Sequence, residues 1–239
     1  EYFDKYPLDR IQLPELPADD MDDIPEIAQS NFSTPFVNLV KEKNEYRKAV
    51  QAYLACMSFA DDCIGEVLNS LNNSAYKDNT VVVLWSDHGW QLAHKNRWEK
   101  FTLWHQATNA PMIISYPNIA QKGSSASSAV SYLDIYPTVL DLLNIKKPNS
   151  LEGESLMPLL KSANAGKKSP AVVTYPRGSY SINTEEWNYI KYKDGSEELY
   201  NHKTDLKEFK NLAKDPKNAS IIKDFQKFIP VDKHSKSEK

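Results

Sequence analysis

Apolar residues recur at steps of three and four along residues 44–71, which is the spacing of one face of an α-helix. The positions that keep this spacing are Tyr53, Cys56, Met57, Ala60, Cys63, Ile64, Val67, Leu68 and Leu71. The pattern predicts one long amphipathic helix. Cys56 and Cys63 are the only cysteines of the chain, and on a helix they would lie about 10 Å apart, too far for an unstrained disulfide. We predict that both are buried free thiols.

Two short apolar runs, 80–85 and 111–115, predict strands buried on both faces of a sheet. Residues 131–143 predict a further helix, with Asp134 near its start and Pro137 in its first turn. Helix, strand, strand and helix therefore follow one another along the chain. This order predicts an α/β sandwich with a parallel-rich sheet.

The pattern changes after about residue 165, where short aromatic segments predict an antiparallel sheet. The predicted strands cover residues 171–175, 179–183, 187–192 and 198–200. Asp194-Gly195 predicts a hairpin turn before the last strand, and a helix at 219–228 would cover the sheet. We therefore predict an α/β part at 1–164 and a small antiparallel β subdomain with a terminal helix at 165–239.

The composition is that of an ordinary globular protein, with 41% hydrophobic and 26% charged residues among 239. A balance of 29 basic against 32 acidic residues gives a net charge of −3, so we expect no nucleic-acid partner. The longest apolar runs are about five residues, far below the roughly 20 that a membrane-spanning helix needs. Apolar residues in 1–40 sustain neither the two-residue spacing of a strand nor the 3.6-residue spacing of a helix, so we expect an extended segment that runs over a surface.

Candidate chemistry follows the first predicted strand directly, in the segment Ser86-Asp87-His88-Gly89-Trp90. Ligand sites of open α/β sheets collect beyond the carboxyl ends of strands, and Gly89 permits the turn that lets Asp87 and His88 converge. A carboxylate oxygen and an imidazole nitrogen suit a divalent cation such as calcium, magnesium or zinc. The tripeptide alone favours another interpretation, an ordinary polar turn in which Asp87 caps local amides.

The next segment, residues 91–105, is rich in cations and tryptophans. The cationic or titratable residues are His94, Lys95, Arg97, Lys100 and His105, and they surround Trp90, Trp98 and Trp104 in sequence. Such a cluster beside a candidate metal suits an anionic group such as sulfate or phosphate, because an ammonium neutralises a non-bridging oxygen. A solvated basic loop explains the same residues equally well, so both interpretations stay open here.

Three segments together resemble the type I sulfatases of the alkaline phosphatase superfamily, in particular the subgroup of iduronate-2-sulfatase and its bacterial relatives. They are 84–90 (Leu-Trp-Ser-Asp-His-Gly-Trp), 98–101 (Trp-Glu-Lys-Phe) and 107–113 (Ala-Thr-Asn-Ala-Pro-Met-Ile). The resemblance implies the C-terminal portion of an alkaline-phosphatase-like α/β sandwich. It also implies hydrolysis of sulfate esters on a sulfated sugar or a glycosaminoglycan-like substrate, and a periplasmic, secreted or lysosomal protein.

The resemblance also assigns roles to residues. Asp87 and His88 match metal-binding positions, for calcium with magnesium as the alternative, and Lys100 matches the catalytic lysine that contacts the sulfate. Trp90 matches a tryptophan that would form a sugar-facing wall. We also expect His94 and Arg97 to bind the substrate.

Departures from the family pattern concern the nucleophile. Such enzymes attack sulfur with a formylglycine made within a C/S-x-P-x-R motif, and this sequence contains no such motif. The N-terminal Asp-Asp segment that supplies two further metal ligands is also missing. We therefore expect the C-terminal half of a sulfatase, partnered by its N-terminal half and inactive alone. The alternatives are a phosphatase or phosphodiesterase of the same superfamily, or a non-catalytic binding module.

Overall fold

The computed structural model describes residues 1–29, 38, 40, 43–117, 122–167 and 169–231. Within these ranges the helices are α1 (Glu26–Gln29), α2 (Tyr46–Asn72), α3 (His105–Thr108), α4 (Ile135–Leu142), α5 (Met157–Lys161) and α6 (Ala219–Gln226). The strands are β1 (Val82–Trp85), β2 (Gln91–Leu92), β3 (Trp98–Glu99), β4 (Met112–Ser115), β5 (Ala171–Thr174), β6 (Tyr180–Asn183), β7 (Trp187–Lys191) and β8 (Glu197–Asn201).

Strands β1 and β4 form an antiparallel pair, in which Val82 lies opposite Ser115 and Trp85 opposite Met112. The predicted parallel arrangement is therefore wrong for these two strands. The chain leaves β1 and enters β4 at the same end of the pair, and such a return needs no crossover helix. Burial on both faces is also wrong, because Trp85 is 49% exposed and Ile113 is 55% exposed.

Helix α2 confirms the predicted long helix but not the predicted burial of its cysteines, since Cys56 and Cys63 are both exposed. Residues 1–11 lie against part of the helix, for example where Tyr2 meets Phe59 with ring centroids 5.5 Å apart. Val50 of the helix also packs against Ala93 and Trp98, but much of the helix stays in solvent, and Val67 is 69% exposed. A periodic pattern identifies the apolar face of a helix, but it does not say what covers that face.

The C-terminal sheet has the strand order β5-β6-β7-β8, with every neighbouring pair antiparallel. All four predicted strands and the helix are present within a few residues of their expected bounds. Helix α6 places Ile222 and Phe225 against Tyr189 and Leu199 of the sheet. The proposed boundary between residues 164 and 165 stays a prediction, and residues 232–239 of the second predicted domain lie outside the described residues.

The opposite face of the same sheet carries a second core, built with residues from the N-terminal segment and the loop after β3. Ile24, Ala28 and Trp104 pack there against Ile190 and Tyr200. The N-terminal segment is largely irregular in its described residues, as predicted, but it is not confined to the surface. Its buried residues instead join the loop that carries the candidate site to the C-terminal sheet.

Candidate active site

The loop after β1 is fixed by very close backbone packing at Gly89. Its N–H donates to the Ala107 carbonyl at 2.9 Å. A β-carbon at this position would lie 2.1 Å from the Gln106 carbonyl oxygen and 2.4 Å from that of Asn109. Since no such contact is tolerated, only glycine fits here. The sequence predicted that Gly89 is needed for its backbone freedom in the turn. The structure shows that it is needed because the backbone of residues 106–109 approaches too closely for a β-carbon.

Three polar groups converge where the loop leaves β1. His88 Nδ1 lies 2.6 Å from the Gly89 carbonyl oxygen, which only accepts hydrogen bonds, so Nδ1 carries the proton. His88 Nε2 therefore presents its lone pair, and Lys100 Nζ donates to it at 2.7 Å. Asp87 Oδ2 lies 3.2 Å from the same nitrogen. Asp87, His88 and Lys100 are thus brought together as the sequence predicts.

This donor set fits a divalent cation. Asp87 Oδ2 and His88 Nε2 both offer lone pairs to the same region, and in the structure the positive group beside them is the Lys100 ammonium. The Nδ1 hydrogen bond to a backbone carbonyl is the outer contact that typically fixes the tautomer of a metal-binding histidine. In the described ranges no three or more His, Cys, Asp or Glu side chains gather to hold an ion, so Asp87 and His88 offer two donor side chains at this position and no third.

Trp90 forms a wall beside the imidazole. Its ring stacks on His88, with centroids 6.1 Å apart and planes 28° apart, and on its other neighbour Tyr53, also at 6.1 Å. Tyr53 comes from helix α2, and burial raises the pKa of its hydroxyl. The long helix therefore positions the candidate site through this aromatic contact.

Tyr132 is a neighbour of the site that sequence reasoning missed. Its hydroxyl donates to the Ser86 carbonyl, and burial together with the nearby Asp87 carboxylate raises its pKa. A capping box formed by Ser131 and Asp134 fixes the turn that carries Tyr132. The sequence signals that turn, but no local pattern signals that it lies against a loop 46 residues earlier in the chain.

Lys95 supports the loop from inside. Its fully buried ammonium pairs with Asp20 Oδ1 at 2.7 Å and lies 5.7 Å from the Trp104 ring centre and 5.4 Å from that of Tyr200. The backbone around it is unusual, because Ala93, Lys95 and Asn96 all have positive φ. This buried pair holds the segment between β2 and β3, which leads directly to Lys100.

The structure does not place His94 and Arg97 with Asp87, His88 and Lys100. His94 is buried with its ring 5.5 Å from that of Phe209, and burial lowers its pKa. Arg97 is buried too, and its Nη2 donates to the carbonyls of Ala28 and Gln29 at 2.8 and 2.6 Å. Their predicted substrate contacts stay predictions, and the geometry gives both residues other partners.

Comparison with known families identifies the family to which the chain belongs. A family model described as Sulfatase matches residues 14–145, more than half of the chain. The chain belongs to the sulfatase family. A second model, described as N-sulphoglucosamine sulphohydrolase, C-terminal, matches residues 93–234.

Individual relatives agree with this assignment. A sulfatase of Formosa agariphila is 36% identical over 96% of this chain and 46% of its own length. A Delta 4,5-hexuronate-2-O-sulfatase of Bacteroides thetaiotaomicron is 31% identical over 88% of this chain and 48% of its own. The solved structure of a 2-O GAG sulfatase superposes with a TM-score of 0.74 at 29% identity, covering 91% of this chain and 51% of that one.

The family and the fold class predicted from sequence are therefore confirmed. The chain spans about half the length of the relatives that it matches. Of the helices described, none has the length and apolar character needed to cross a bilayer.

Proposed function

We propose that this chain supplies one part of the active site of a sulfatase that hydrolyses sulfate esters on a sulfated sugar. The convergence of Asp87, His88 and Lys100 at the end of β1 carries the proposal. Two of the relatives, a hexuronate-2-O-sulfatase and a 2-O GAG sulfatase, support an acidic sugar of glycosaminoglycan type as the substrate class.

Asp87 and His88 would hold a divalent cation, calcium with magnesium as the alternative. A bound cation of this kind supplies a Lewis acid that polarises sulfate oxygens. The role of His88 is to present Nε2 in a fixed tautomer, which the Gly89 carbonyl enforces. The Asp87 side chain is 78% exposed, so its carboxylate is accessible to a cation whose other ligands come from outside this chain.

Lys100 would bind the ester. Its ammonium has three donor hydrogens, and the one that now points at His88 Nε2 becomes free once that nitrogen holds the cation, so all of them are available to non-bridging oxygens of the sulfate. Such a contact grows stronger as negative charge accumulates on those oxygens in the transition state. Trp90, whose ring lies between His88 and Tyr53 and is half-buried, would contact the sugar that carries the ester with the part of the ring that stays exposed.

The nucleophile would come from outside this chain. A formylglycine supplies a hydrated aldehyde that attacks sulfur, and we propose that the N-terminal half of the same enzyme carries it. The exposed apolar side chains of Trp85, Ile113 and Val67 support such a partner, because they form surfaces that a second body would cover. We further propose that the isolated chain is inactive and that the enzyme acts in a periplasm, a lysosome or the medium.

The test uses the full-length enzyme, an aryl sulfate, a sulfated uronate disaccharide and an aryl phosphate. We expect sulfate hydrolysis that falls about 10²- to 10³-fold in kcat with Lys100→Ala, and no turnover by the isolated chain. Lys77→Ala is the matched control, because Lys77 is exposed on the turn after α2. Preference for the phosphate would indicate a phosphatase or phosphodiesterase, and saccharide binding without turnover would indicate a binding module. Either result would overturn the proposal.

A further inference from the structure

A cleft opens beside Lys100, between the site loop and the C-terminal sheet. It is a partly open surface cleft: the empty space between its walls is about 450 Å³ including open solvent, and only about 50 Å³ of it can hold the centre of a water molecule. The residues that form it are Ile27, Ala28, Phe101, Thr102, Leu103, Trp104, Tyr175, Pro176, Tyr192 and Lys193. Lys100 Nζ lies 5.8 Å from the centre of the Phe101 ring, so one wall of the cleft borders the candidate active site.

The walls of this cleft suit a sugar ring. Phe101 and Tyr175 form an aromatic pair with centroids 5.6 Å apart and planes 33° apart, and Pro176 extends the apolar surface beside them. Flat apolar surfaces of this kind pack against the C–H faces of sugars. Thr102 adds a polar group: its hydroxyl oxygen accepts from Gln91 at 2.6 Å, which leaves its own proton to be donated.

The charge at the rim suits an acid. Lys193 is exposed at the edge of the cleft, and no carboxylate of the described chain pairs with it. The neighbouring lysine differs, because Lys191 is neutralised by Glu197 at 3.0 Å. Lys193 is therefore the cation of this rim that has charge to offer to a ligand.

We propose that this aromatic cleft binds the second sugar unit of the substrate and that Lys193 pairs with a carboxylate or sulfate on that unit. The inference rests on the proposed function and deepens it, because it makes the preferred substrate an acidic oligosaccharide. Phe101 and Tyr175 hold the ring of the second unit while Lys100 holds the ester of the first. Tyr175, which directly follows β5, is the residue of the C-terminal sheet region that forms the aromatic wall with Phe101.

The experiment compares three substrates on the full-length enzyme: an aryl sulfate, a sulfated disaccharide with a neutral second unit, and one with a uronate there. We expect Lys193→Glu to lower kcat/KM about tenfold for the uronate disaccharide alone. Tyr175→Ala should lower kcat/KM for both disaccharides about threefold to tenfold, while Tyr175→Phe retains it. Lys146→Glu, on an exposed stretch elsewhere, is the matched control.

Equal losses on all three substrates, or no loss from Lys193→Glu, would overturn the inference. Lys193 is exposed, so this variant stays informative even where Tyr175→Ala disturbs folding. An enzyme inactive on every sulfate ester would refute the proposed function instead. Calorimetric titration with the unsulfated uronate disaccharide then tests sugar binding in the cleft independently of catalysis. Weaker binding in Lys193→Glu would support the proposed cleft, and unchanged binding would contradict it.

Discussion

The C-terminal sheet and the β1–β4 pair are both antiparallel, yet they differ in how their apolar residues are covered. In the C-terminal sheet Ile182, Tyr189 and Leu199 are completely buried, and helix α6 closes that face. In the β1–β4 pair Trp85 and Ile113 remain about half exposed. One region completes its core within this chain, whereas the region that carries the candidate site leaves a surface for further protein. The predictions below test this difference.

The largest loss of stability is expected at Glu198, in the closed region. Its fully buried carboxylate accepts from Trp104 Nε1 at 2.8 Å, from Tyr192 at 2.6 Å and from the Tyr200 hydroxyl. Glu198→Ala would strand three buried donors and should lower the free energy of unfolding by about 3–5 kcal/mol in urea titrations. Glu198→Gln should lower the unfolding free energy by less. Glu152→Ala, at an exposed position, is the control and should change it by no more than about 0.5 kcal/mol. A small effect of Glu198→Ala would contradict this account of the core.

Gly89→Ala should act on the site loop. The added β-carbon would meet two carbonyl oxygens at 2.1 and 2.4 Å, so the loop has to move. We expect a loss of about 1–3 kcal/mol in unfolding free energy and about 100-fold in kcat/KM of the full-length enzyme, because Asp87 and His88 are displaced. Gly65→Ala in helix α2 is the control, since a β-carbon there meets nothing within 4 Å. Unchanged activity in Gly89→Ala would show that the close contact does not position the site.

Ile113→Lys should separate the two regions most clearly. In the isolated chain Ile113 is exposed, so its replacement should change the unfolding free energy by less than about 0.5 kcal/mol. In the full-length enzyme we expect a loss of about 2 kcal/mol or more, because the lysine would be buried there. Leu206→Lys, at an exposed position after the C-terminal sheet, should have little effect in either context. Equal effects of the two variants would argue that nothing covers the β1–β4 pair.

The smallest effect is a dependence of stability on pH. Burial lowers the pKa of His94 and of His105 below the ordinary 6.5, so the folded chain binds fewer protons than the unfolded chain. The unfolding free energy should therefore be fully retained above pH 6.5 and decrease as the pH falls below that value. Replacing both residues with glutamine should flatten the curve measured between pH 7 and 5.5. An identical slope in the double variant would contradict this assignment.

Local patterns predicted the strands of the C-terminal sheet well, because alternation along 187–192 and the Asp194-Gly195 turn fix both strand and register. The position after the first strand drew attention to Asp87 and His88, whereas only the family resemblance singled out Lys100; the structure brings these three side chains together. Local patterns failed where the answer depends on distant contacts: the direction of β4, the exposure of Cys56 and Cys63, and the place of Tyr132. The cations of residues 91–105 looked alike in sequence, yet Lys95 and Arg97 turn inward to Asp20 and to the backbone of α1.

The central claim is that Asp87 and His88 hold a divalent cation beside Lys100. It is tested most directly by a crystal structure of the full-length enzyme grown with calcium and a non-hydrolysable sulfate ester analogue. We predict one ion at about 2.3–2.6 Å from an Asp87 carboxylate oxygen, with His88 Nε2 among its neighbours and the Lys100 ammonium on a sulfate oxygen. Density that shows no cation at this position in the complete enzyme, even in excess calcium, would contradict the account.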